Sequence, residues 1–216
     1  MTGEPGAGAR RGRARSDDLR GALLRLDEIT RLLRRDCPWD REQDERSIVP
    51  HTVEEAYELA DAAHHGDDRK LLDELGDVLF QVYFLALLLE ERGQGSLAEV
   101  ADHCREKLIR RHPHVFGDRE AETAGDVVRN WDEIKREQEG GGEIFGSIPQ
   151  TLPSTLYAKK VLRRAASAGF RFDGADESDP GGALMAAVKL AMEAGADPEL
   201  ELRRAADRFR SEVEAG

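Results

Sequence analysis

Apolar residues recur along this chain at three- and four-residue steps, the period of an amphipathic helix. From Asp17 to Arg35, Leu19, Leu23, Leu26, Ile29 and Leu33 predict a first helix. Asp17 and Asp18 suit its N-terminal turn. Cys37-Pro38-Trp39-Asp40 ends it, because the residue before proline avoids helical dihedrals. A second helix is expected from Thr52 to about His64, with Ser47–His51 as its approach and Thr52 and Glu55 as a capping box. Gly66-Asp67-Asp68 makes a turn, and a third helix runs from about Arg69 to Arg92. Within it, only Gln81 and the Tyr83 hydroxyl interrupt the apolar stretch from Val78 to Leu89, the pattern of a buried helix. After a turn at Gly93–Gly95, Ser96 and Glu99 have the spacing to cap a helix ending near Arg111. Val115–Thr123 reads as a loop. Further helices are predicted over Asp126–Glu139, Leu152–Ala168, Gly182–Ala194 and Pro198–Glu214, with Gly169 closing the second of these. A polar loop covers Arg171–Gly182, and no convincing strand intervenes. The fold class is therefore all-α.

Composition adds bounds to this picture. The 216 residues fit one domain with appendages or two small ones. A hydrophobic share of 39% can build a core, and a charged share of 35% keeps the surface polar. The net charge of -12 disfavours nonspecific nucleic-acid binding. The apolar run at Val78–Leu89 is too short to span a bilayer. The N-terminus has no apolar signal segment, and two cysteines, Cys37 and Cys104, fit a reducing compartment, so a cytoplasmic location is expected. Residues 1–16 carry four glycines together with Arg10, Arg11, Arg13 and Arg15, with almost nothing to bury, and are expected to be a disordered tail.

Candidate chemistry concentrates in two carboxylate groups. The first is Glu54-Glu55-x-x-Glu58 followed by Asp61, and the second is Glu74-x-x-Asp77. At 100° per residue the first group occupies an arc of roughly 120°. Taken alone, it reads as the wet face of an ordinary amphipathic helix. Glu74 and Asp77 change that reading, because their stripe continues through Gln81, Phe84 and Leu88 and should point inward. Ionised carboxylates placed there are costly unless paired or bound to metal. Lys and Arg could pair with them, but Glu54, Glu55 and Glu58 add more negative charge nearby. Oxygen donors of this kind favour Mg²⁺ or Mn²⁺. Lys107, Arg110 and Arg111 end the next helix, where they either bind phosphate oxygens or complement the helix C-terminus. Trp131 serves either as core or as part of a nucleotide pocket. A di-iron carboxylate site would want Glu-x-x-His, and none of Glu54, Glu55, Glu58 or Glu74 has His three residues on.

The chain resembles the MazG nucleoside triphosphate pyrophosphohydrolases, of the all-α NTP pyrophosphatase group. The resemblance rests on Cys37-Pro38-Trp39-Asp40, the E-E-x-x-E at Glu54–Glu58 and the E-x-x-D at Glu74–Asp77. It continues through Arg110-Arg111-His112-Pro113-His114-Val115-Phe116, Trp131-x-x-Ile134-Lys135 and Leu152-Pro153. It implies a helical bundle completed by homodimerisation. It also implies Mg²⁺-dependent hydrolysis of NTPs or dNTPs to monophosphate and pyrophosphate, with Mn²⁺ as the alternative ion, and a role in nucleotide-pool housekeeping. Neither nucleic acid nor membrane is implied as a partner. The implied metal ligands are Glu55, Glu58, Glu74 and Asp77. Glu54 is implied as an auxiliary carboxylate, and Glu54 or Glu58 would take the proton of the attacking water. Nucleotide contacts are implied at His51, Lys70, Lys107, Arg111, Trp131 and Lys135.

The implied organisation is a tail at 1–16, a catalytic domain at 17–139, a linker at 140–151 and a C-terminal helical region at 152–216. That last region resembles the end of a second, similar domain found in long members. Pro180-Gly181-Gly182-Ala183 stands where E-x-x-D would be, so the region lacks the metal motif. The loss leaves a second function class open, a weakly active or non-catalytic nucleotide-binding regulator.

Overall fold

The computed structural model describes residues 7–123, 125–127, 130, 131, 134, 144–146, 148–174 and 179–216. Among them every regular element is helical, in agreement with the all-α expectation. The helices are α1 (Ala7–Asp36), α2 (Pro38–Glu42), α3 (Glu45–His65), α4 (Asp68–Glu91), α5 (Leu97–Arg111), α6 (Pro113–Phe116), α7 (Ser154–Ser167), α8 (Pro180–Glu193) and α9 (Pro198–Ala215). None of the described helices is long and apolar enough to cross a membrane. Two compact units divide inside α5, at Glu106 and Lys107. Of the linker expected at 140–151, residues 144–146 and 148–151 are described and none is helical, and the others lie outside the described residues.

In the first unit α4 packs chiefly against α3, and α1 lies against α2 and α4. The core joins Ile48 of α3 to Phe84 and Leu88 of α4, flanked by Phe80 and Leu85. Paired arginines fasten α1 to the end of α4. Arg31 grips Glu90 at 3.0 and 2.7 Å, and Arg34 grips Glu91 through two bonds of 2.8 Å. Cys37 before Pro38 is extended, at φ −81° and ψ 124°, as the proline ring requires.

Three expectations need correction. The capping box is not Thr52 with Glu55. Asp44 accepts from the Ser47 backbone N–H at 2.9 Å, the Asp44 N–H donates to Ser47 Oγ at 2.9 Å, and α3 therefore starts at Glu45. Pro50 lies inside the helix, and the Thr52 hydroxyl donates back to the Ile48 carbonyl at 3.3 Å. Residues 7–16, expected to be a disordered tail, continue α1, since alanine and arginine favour the helix locally and need no core to do so. The loop expected from Val115 begins with the short helix α6. Other boundaries moved by one or two residues, as cap assignments commonly do. Ser96 does cap α5: its Oγ accepts from the Glu99 N–H at 3.3 Å and donates to Glu99 Oε2 at 2.8 Å, without the bond from Glu99 back to the Ser96 N–H that would complete a capping box.

The second unit packs α7, α8 and α9 on one another around Leu162 and Val188. Gly169, at φ 84°, terminates α7 in the left-handed conformation that glycine adopts without strain. Asp197 caps α9 through the Glu199 and Leu200 N–H groups and receives Lys159 Nζ at 2.6 Å. The helix expected over Asp126–Glu139 is described only at 125–127, 130, 131 and 134, all helical.

Candidate functional site

Seven-residue spacing explains how the carboxylates meet. Ile48, Glu55 and Ala62 recur along α3, and Glu74, Gln81 and Leu88 recur along α4. Residues seven apart share a helix face, so each set forms one side of the seam between two packed helices. Gly66, left-handed at φ 69°, and the Asp67 cap of α4 turn the chain back between them. Ile48 and Leu88 fill one end of the seam, 1% and 4% exposed, and Ala62, 0% exposed, closes the other. Between these packed ends the seam holds carboxylates.

Oxygen atoms of Glu55, Glu58 and Glu74 lie within 4.8 Å of one another. Glu74 is only 6% exposed, Glu55 is half-buried and Glu58 is exposed. Burial pushes the Glu55 carboxyl above its ordinary value, and the charges of Asp77, Glu58, Glu74 and Glu54 push it further. Glu74 is also raised, first by burial and then by Glu58, against a smaller downward pull from Lys70. Asp77 is exposed and stands outside the close triplet, although its charge is the largest electrostatic influence on Glu55.

Gln81 completes the observation. Its Oε1 is buried with no hydrogen-bond partner, four residues beyond Asp77 and seven beyond Glu74. An oxygen-only donor set, crowded enough to hold protons above their usual affinity and sharing its seam with an orphaned carbonyl oxygen, fits a hard divalent cation. The sequence placed Gln81 on the inward stripe of Glu74 and Asp77 but gave it no part in the site. Its spacing from Glu74 was the signal that it belongs to the same seam.

The other expected site residues divide between the units. Glu54, with a side chain 65% exposed, lies 3.7 Å from His51 Nδ1. Lys70 Nζ is 3.6 Å from Asp61 Oδ2, and its charge reaches Glu74. These residues belong to the first unit with the carboxylates. Lys107, Arg111 and Trp131 belong to the second. There the Arg111 guanidinium sits 4.8 Å from the Trp131 ring centroid, a cation–π contact, and its Nε is buried without a partner. Lys135 lies outside the described residues.

Comparison with known proteins adds an independent line. The model of the MazG nucleotide pyrophosphohydrolase domain matches residues 43–116, which include both carboxylate groups. A nucleoside triphosphate pyrophosphohydrolase of Escherichia coli K12 is 34% identical over 203 residues, covering 80% of this chain and 77% of that protein. The nucleoside triphosphate pyrophosphohydrolase/pyrophosphatase MazG of Thermotoga maritima is 33% identical over 197 residues, covering 80% and 76%. A crystal structure of a MazG-related protein from Thermotoga maritima aligns with 52% of this chain and 97% of its own, at 25% identity and a TM-score of 0.45.

Proposed function

The chain belongs to the MazG family, and from that premise we propose that it hydrolyses nucleoside triphosphates to monophosphate and pyrophosphate with Mg²⁺. The observation that carries this reading is the convergence of Glu55, Glu58 and Glu74 within 4.8 Å in the seam between α3 and α4. Glu55, Glu58, Glu74 and Asp77 would hold the cation, Mg²⁺ or alternatively Mn²⁺. Bound there, such an ion supplies charge neutralisation for the triphosphate and acidifies water.

The chain's own groups do the remaining work. Glu54 and Glu58 are exposed carboxylates of α3, open to solvent, and would orient water and accept its proton. The water oxygen forms a bond to the α or the β phosphorus as the α–β anhydride bond breaks, and the departing pyrophosphate or monophosphate keeps the electron pair. By the family resemblance, Lys70, Lys107, Arg111 and Lys135 would meet the phosphate oxygens, with charge-assisted bonds that strengthen as negative charge builds on the leaving group. His51 and Trp131 would complete the nucleotide contacts.

The same reading covers the wider organisation. The catalytic domain spans 17–139 and the region 152–216 carries no metal motif of its own. A homodimer is supported by apolar side chains left open on the first unit. Leu72, Leu75 and Val82 of α4 are 74%, 50% and 39% exposed, and Val53 of α3 is 50% exposed. The family resemblance supports nucleotide-pool housekeeping as the role of this activity, in the cytoplasm.

The test is pyrophosphate release from NTPs and dNTPs with Mg²⁺. Wild type should turn over and Glu58→Gln should lose at least about a hundredfold in kcat, the low end of what a positioned proton acceptor contributes. Full activity in Glu58→Gln would sink the assignment. Stabilisation by a non-hydrolysable nucleotide without turnover of the natural one would instead mark a regulator.

A further inference from the structure

Trp39 occupies an unusual position for a large aromatic residue. The short helix that carries it is firmly held: Arg34 donates to the Asp40 and Gln43 carbonyls, and Gln43 Nε2 donates to the Trp39 carbonyl at 2.9 Å. Asp40 beside it is 6% exposed, yet Trp39 itself is 51% exposed. Its ring meets His51 edge-on, with centroids 5.8 Å apart and planes at 69°. His51 in turn stands on the stripe of α3 that leads to Glu55 and Glu58. At the helical rise, His51 precedes Glu55 by about 6 Å and Glu58 by about 10 Å along the axis. A nucleotide has the same layout, a flat aromatic base separated by a pentose from its phosphates.

We propose that Trp39, backed by His51, forms the nucleobase wall of the carboxylate site, with the triphosphate laid along α3 toward Glu55 and Glu58. This rests on the hydrolase reading and adds the part that grips the base. Trp131, the other indole, already carries the Arg111 guanidinium on its ring, which leaves Trp39 the more open surface. A stacking wall discriminates by ring area, so purine triphosphates should bind better than pyrimidine ones.

The test separates base from phosphate and binding from turnover. The probes are an ATP analogue blocked at the α–β bridge and inorganic tripolyphosphate, each with Mg²⁺. The analogue should quench the component of tryptophan emission that is lost in Trp39→Phe, and tripolyphosphate should leave it unchanged. Trp39→Ala should raise the ATP KM about tenfold with kcat within about twofold, while Trp39→Phe keeps most of the affinity. A silent Trp39 component, or equal weakening of analogue and tripolyphosphate in Trp39→Ala by calorimetry, overturns the wall. Quenching without any turnover overturns the hydrolase reading alone, and turnover with a silent Trp39 overturns the wall alone.

Discussion

Replacing Glu55 by Gln should stabilise the metal-free protein while removing its response to Mg²⁺. Glu55 is half-buried, and its carboxylate lies within 4.8 Å of those of Glu58 and Glu74. At such a separation a like-charge pair costs about 1 kcal/mol when screened as in water and about 3 kcal/mol at an effective dielectric near 20. Glu55 faces two such neighbours, but proton uptake and the desolvation of the new amide consume part of the gain. A net stabilisation of about 1–2 kcal/mol remains, which for a chain of this size raises Tm by about 2–8 °C. The sign with pH follows from the raised carboxyls. Folded Glu55 binds its proton more readily than the unfolded residue, whose ordinary value is 4.5. The penalty is therefore complete above the raised folded value and relieved as pH falls from there toward 4.5, so metal-free wild type should gain stability on that descent. Glu55→Gln should show less of this gain, the remainder coming from Glu74, which is raised for the same reasons. The assay is thermal unfolding by circular dichroism in EDTA and in Mg²⁺, between neutral pH and about pH 5. An unchanged or lower Tm for Glu55→Gln in EDTA at neutral pH, or an undiminished Mg²⁺-induced rise, would refute the reasoning.

Two further substitutions test the scaffold that brings the carboxylates together. Phe84→Ala removes a ring that is 0% exposed against Ile48 and Leu88 and should cost about 3–5 kcal/mol, seen as a lower urea midpoint. Arg34→Ala breaks two 2.8 Å bonds to Glu91 and frees the carbonyls of Asp40 and Gln43. With only 19% of the Arg34 side chain exposed, the expected loss is about 2–3 kcal/mol in urea unfolding, and Arg34→Lys should recover only part because an ammonium cannot reproduce the planar two-bond grip.

Local chemistry carried much of the fold into the sequence. The turn at Gly66, the stop at Gly169 and the Ser96–Glu99 cap are short-range features, written in residues that touch one another along the chain. The start of α3 was equally local, but two caps competed for it: Asp44 with Ser47 and Thr52 with Glu55 both have the required spacing. Asp44 prevails because its box satisfies two N–H groups while Ile48 gains a fully buried place against Phe84 and Leu88. The helix beginning at Ala7 escaped a reading that looked for apolar residues to bury, since that stretch draws on backbone propensity alone.

The sequence by itself determined that the chain is helical, that its carboxylates sit at one-turn spacing on consecutive helices, and that its motifs are those of the MazG family. Each of these is a matter of residue type and spacing, which the linear chain contains in full. Tertiary structure alone decided which carboxylates meet. It put Glu74 at 6% exposure and left Asp77 open one turn away, although sequence reading gave the two equal standing. It also left Gln81 Oε1 buried without a hydrogen-bond partner on the same helix and set Trp39 against His51. These differences arise because a seam between two helices admits only the residues on the line of contact, and that line is fixed by how Ile48, Ala62, Phe84 and Leu88 pack.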